Sequence, residues 1–97
     1  MAMQAHEIEA LIRDNKYHIA VSEIQEYLCA HINESGGKYT SVEEALLILG
    51  VFSGHYIRYS EIIAKSESGE LTLTDALFCL FFLTDVELRM QAAGLKQ

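Results

Sequence analysis

Four histidines, two cysteines and fourteen carboxylates are the side chains of this 97-residue sequence best able to hold a metal or move a proton. A metal site needs such groups gathered at ligand spacing, as in paired Cys or His residues or a Glu-x-x-His on one helix face. His6, His18, His31 and His55 have no His or Cys partner three or four residues away, and neither H-E-x-x-H nor Glu-x-x-His occurs. Glu7 adjoins His6 and therefore falls on a different helical face. His31 lies on an apolar face, where a hydrogen-bonded core or boundary histidine is expected; the other three read as surface residues. Cys29 and Cys79 are isolated and read as small buried hydrophobes, with no framework disulfide.

Nucleophile and phosphate signatures are missing as well. Neither Gly-x-Ser-x-Gly, Gly-x-x-x-x-Gly-Lys-Ser/Thr nor Gly-x-Gly-x-x-Gly is present. Ser35-Gly36-Gly37-Lys38-Tyr39-Thr40 has some letters of a phosphate loop, but it lacks the first glycine and a preceding buried strand, so a plain linker is expected. Glu23, Glu26, Glu43 and Glu44 fit solvated helix faces better than an acid/base dyad. No catalytic, cofactor or metal residues are expected, and the chain reads as non-enzymatic.

Charge and composition narrow the partners. Seven Lys and Arg oppose fourteen Asp and Glu, a net charge of −7, and the cations form no basic stripe of the kind that neutralises phosphates. Nucleic acid is therefore not an expected partner. The apolar run from Ala76 to Leu83 is far short of the roughly 20 residues that cross a bilayer, and no signal peptide pattern opens the sequence. A cytoplasmic protein without membrane contact is expected. With 51 % apolar residues, the chain holds enough for one core, and residues 1–97 read as a single domain.

The elements that must position any site are helical. About Gln4 to Asp14, Ile8, Leu11 and Ile12 recur at i, i+3, i+4, and Asp14-Asn15-Lys16 marks a turn. From Tyr17 to Asn33, Tyr17, Ala20, Val21, Ile24, Leu28 and Ile32 lie on one face. Glu34-Ser35-Gly36-Gly37-Lys38 is the clearest linker. Ser41 with Glu44 has the form of a capping box, so a third helix is expected from Val42, its apolar face running in register through Tyr56 and Tyr59 to Ile63. Thr72 with Asp75 caps a fourth, Leu73 to Ala92, and Gly94 supplies a stop. The fold expected is all-α: a compact bundle of four to five helices.

Two features within these helices could make an interface. Gly50 and Gly54, four apart in the long helix, predict either a bend or a groove where another backbone approaches. The last helix is apolar nearly all round. Leu73, Ala76, Leu77, Leu80, Phe81 and Leu88 form one stripe and Phe78, Phe82 and Val86 another, so either neighbours wrap it or the Phe78, Phe82, Val86 side meets another chain. Tyr56 and Tyr59 read as an inward pair, with Arg58 and Glu61 as an outward ion pair. Aromatics with Arg are also what interfaces favour. Phe78, Phe82, Val86, Gly50, Gly54 and Arg58 are the candidate interface residues.

Ile8 to Lys16, Ala20 and Leu28, Leu49 through Tyr59, and Gly69 to Ala76 together give a leading helix with its turn, a long helix ending aromatic-Arg-aromatic, and a Gly-x-Leu-Thr cap. In this order the sequence resembles the effector-associated domains of bacterial conflict and anti-phage defence systems, which are death-like helical bundles. The resemblance implies a non-enzymatic adaptor that binds a related helical domain, or itself, and so recruits an effector such as a protease or nuclease. The alternative reading is a small acidic immunity protein or antitoxin that plugs a basic nuclease cleft. Against it, the acids are spread, with eight before Leu49 and six after.

Overall fold

In a computed structural model that describes residues 5–33 and 41–94, the chain forms five helices: α1 (Ala5–Arg13), α2 (Tyr17–Asn33), α3 (Val42–Ile48), α4 (Ser53–Ser68) and α5 (Leu73–Ala92). No strand occurs among the described residues. The linker expected at Glu34 to Lys38, and the side chains of His31 and Ile32, lie outside them.

Local chemistry sets the helix ends. Asn15 takes a left-handed φ of 63°, and the amides of Lys16 and Asn15 donate back to the carbonyls of Leu11 and Ile12. This is a Schellman stop, with Asn in place of the usual glycine, and it turns the chain from α1 into α2. At the start of α3 the Ser41 hydroxyl accepts from the Glu44 amide. At α5 both halves of the capping box are made, Asp75 N–H to Thr72 Oγ1 at 3.2 Å and Thr72 N–H to Asp75 Oδ2 at 3.0 Å. Gly94, at φ 73°, ends the same helix.

One expectation fails here. The apolar register from Val42 to Ile63 is not a single six-turn helix, because a second Schellman stop divides it. Gly50 sits at φ 78°, its amide donates to Leu47 and that of Val51 to Leu46. Val51 and Leu46, the pair that this motif brings into contact, are both buried. Gly50 therefore marks a break, stronger than the bend considered, and the chain re-enters helix at Ser53. A Cβ on Gly50 would also approach Arg89 Nη1 to 3.3 Å.

The core gathers one face of every helix: Ile8 and Ile12 from α1, Ala20, Val21, Ile24 and Leu28 from α2, Ala45 and Leu46 from α3, Tyr59 and Ile62 from α4, and Ala76, Cys79, Phe82, Leu83, Val86 and Met90 from α5. Helix α5 is the central element, packed by α1, α2 and α4. Two polar ties hold its ends. Lys65 Nζ meets Asp75 Oδ2 at 2.8 Å, joining the last turn of α4 to the first of α5. Arg89 donates to Asp85 Oδ1 at 3.0 Å and to the Leu49 carbonyl at 3.2 Å, satisfying a backbone acceptor at the end of α3.

Candidate functional site

Helix α5 presents two apolar faces, and of the two outcomes open for the Phe78, Phe82, Val86 side, packing by its neighbours is the one realised. Phe82 and Val86 have no solvent exposure and Phe78 is only partly exposed, so this candidate interface side is the core side. At 100° per residue, the buried set Ala76, Cys79, Phe82, Leu83, Val86 and Met90 occupies one arc. Opposite it stand Leu73 (48 % exposed), Leu77 (48 %), Phe81 (49 %) and Leu88 (59 %). Thr84 lies between Phe81 and Leu88, its hydroxyl committed to the Leu80 carbonyl at 3.0 Å, so it brings no unmet donor to this face. The outward arc, Thr74 and Gln91 included, has a single ionisable residue, Asp85 at its edge beyond Phe81, and that carboxylate is paired with Arg89 at 3.0 Å.

The start of α4 extends the surface. Phe52, the N-cap residue, is 64 % exposed and meets the His55 ring edge-on at 5.1 Å; His55 in turn meets Phe78 at 5.9 Å and Phe81 at 5.4 Å, also edge-on. His55 is thus a half-buried hub among three phenylalanines and not the surface histidine expected. Its i+3 spacing from Phe52 was the available signal. Arg58 stands 4.7 Å over the Phe78 ring, a cation–π contact in place of the ion pair expected with Glu61. Gly54 is the seat of the Phe52 ring, since a Cβ there would come within 2.5 Å of Phe52 Cε2. Of the six candidate interface residues, Phe78, Gly54 and Arg58 therefore belong to one aromatic cluster. Gly50 serves as a helix stop, and Phe82 and Val86 as core.

The thiols part company. Cys79 is buried, and burial first, with the negative charge of Asp75 second, pushes its pKa up to about 12. Cys29 is exposed, against expectation, and lines a groove of about 240 Å³ between α2 and α4 with Gln25, Leu28, Tyr56, Tyr59 and Ile63. A groove of about 230 Å³ between α1 and α5 is lined by Glu9, Ile12, Arg13, Leu77 and Leu80. Both are smaller than the roughly 300–1,000 Å³ of typical small-molecule sites. Among the described residues no three or more His, Cys, Asp or Glu come together to hold a metal, and no helix is long and apolar enough to cross a membrane.

No protein-family model, curated protein or solved structure matches the chain.

Proposed function

We propose that this protein is a non-enzymatic interaction module whose docking surface is the outward face of α5 with the Phe52, His55 and Arg58 cluster beside it. One observation carries the reading: Leu73, Leu77, Phe81 and Leu88 stand about half exposed on the face directly opposite a complete core face. Folding already uses the buried face, so these four side chains add nothing to the core, and an apolar face of this length is characteristic of contact with another macromolecule. Exposed aromatics beside an arginine are the residue types that dominate binding energy at protein interfaces. The net charge of −7 makes association through this face sensitive to salt.

The resemblance to effector-associated domains supports a more specific form of this reading: an adaptor of a bacterial defence system that docks a like helical domain and so recruits a protease or nuclease. The test is to co-express the chain with the products of its neighbouring genes and purify it as wild type and as Phe81→Asp. A helical-domain protein that co-purifies stoichiometrically with wild type, and is lost from the folded variant, supports the adaptor. Equal recovery with both forms overturns the assignment of this face.

A further inference from the structure

We infer that the outward face of α5 takes a second copy of this chain, packed antiparallel across a two-fold axis. This rests on reading that face as a docking surface, and it goes further by naming the occupant and the register.

Charge selects the occupant. Two identical chains of net charge −7 repel, and a self-interface on most of their surface would bring acids together. The outward arc of α5 carries one ionisable side chain from Leu73 through Gln91, Asp85, and Arg89 pairs with it at 3.0 Å, so two copies meet there without bringing unpaired like charges together. A two-fold interface must also be self-complementary.

Spacing then selects the orientation. Leu77, Phe81, Thr84 and Leu88 follow intervals of 4, 3 and 4, the seam of a left-handed helix pair. Turned antiparallel about the midpoint of Phe81 and Thr84, Leu77 of one copy faces Leu88 of the other and Phe81 faces Thr84, so each large ring meets a small residue. The same operation brings Glu87, two turns beyond Leu80 on the α1 side, level with the end of the partner helix where Arg13 lines the groove beside Leu77. Parallel pairing would instead place Phe81 on Phe81 and Glu87 level with Glu87, and align rather than oppose the two helix dipoles. The seam from Leu73 to Leu88 is about 22 Å long, which suits a reversible dimer better than an obligate one.

The test is the molar mass of the full chain by light scattering or sedimentation from roughly 10 μM to 1 mM, the range in which a small interface shows itself. The expected mass rises from 10.9 kDa toward twice that value. Leu77→Lys and Leu88→Glu, both at exposed positions, should each retain the wild-type helical circular dichroism and weaken self-association roughly tenfold or more. Mixed one to one, they should recover a heterodimer, because antiparallel packing sets Lys on Glu at one end and leaves Leu on Leu at the other. A mass fixed at 10.9 kDa up to 1 mM overturns the proposal, as does a mixture that stays monomeric while wild type dimerises. The docking reading has its own outcome: if wild type is monomeric but Phe81→Asp still loses a co-expressed partner, the second copy is wrong and the docking face stands.

Discussion

Tyr59 of α4 stacks on Phe82 of α5 with ring centroids 4.6 Å apart and planes inclined by 16°. This contact joins the re-started helix after Gly50 to the central helix, and both residues are buried. Phe82→Ala should cost about 3–5 kcal/mol, the usual range for emptying a packed aromatic site. Phe81→Ala, one residue away on the outward face and in ring contact with His55, should cost no more than about 1.5 kcal/mol. Urea unfolding of the two variants checks the assignment of faces, and equal costs would refute it.

Two glycines should respond in opposite ways. Gly50→Ala forces an alanine into left-handed backbone and crowds Arg89, so a loss of about 1–2 kcal/mol is expected. Gly54→Ala sits in the first turn of α4, where alanine favours helix by up to about 1 kcal/mol, and what it displaces is the tip of the exposed Phe52 ring. Its melting temperature should equal or exceed that of wild type while the His55 ring proton resonances move. A Gly54→Ala variant as unstable as Gly50→Ala would contradict this account.

Acid should weaken the junction of α4 and α5. The Lys65 ammonium first, then the Thr72 amide and hydroxyl, hold the Asp75 carboxyl below its ordinary pKa of 3.8, against the opposing effect of burial. The folded state therefore takes up this proton less readily than the unfolded chain. The stabilisation is complete above the unfolded value and is lost as pH falls through the folded one. Urea midpoints should drop below about pH 4, and Asp75→Asn should lower the neutral-pH midpoint while flattening this acid limb. Thr72→Ala should cost about 1 kcal/mol through loss of the cap.

Alkali should act through the core. Burial, the largest influence on each, raises both the Tyr59 phenol and the Cys79 thiol above their ordinary values of 10.0 and 9.0. The unfolded chain releases these protons first, so stability is full below the unfolded pKa values and declines as pH rises toward the folded ones. Tyr59→Phe keeps a ring against Phe82 and should shift alkaline unfolding to higher pH. An unchanged alkaline midpoint would exclude the phenol as a contributor.

Thiol accessibility gives a direct measure of native order. An aromatic disulfide reagent at neutral pH should label Cys29 at once and Cys79 only as the chain opens, because the first is exposed and the second is buried and held protonated. Two equally fast thiols would mean that α5 is not seated in the core.

Much of the architecture is written locally. The period of Ile8, Leu11 and Ile12, the face of Ala20, Val21, Ile24 and Leu28, and the caps at Ser41 and Thr72 each depend on residues within one or two turns, so the sequence alone places these helices. The Gly50 stop was also legible, since a glycine followed by an apolar Val51 is a Schellman pattern. It was masked because the apolar register runs unbroken from Leu49 past Phe52 to Tyr56.

The face of α5 that turns inward was not legible. Phe78, Phe82 and Val86 and the opposite Leu73, Leu77, Phe81 and Leu88 are equally apolar, and a periodic pattern carries no preference between two hydrophobic sides. Only the packing of α1, α2 and α4 onto Cys79, Phe82, Leu83 and Val86 made the choice, and the same packing gathered His55, Phe52 and Arg58 around Phe78. Sequence determined that the last helix carried more apolar surface than one core face needs. Tertiary structure decided which residues hold that excess, because burial is a property of neighbours and not of the helix itself.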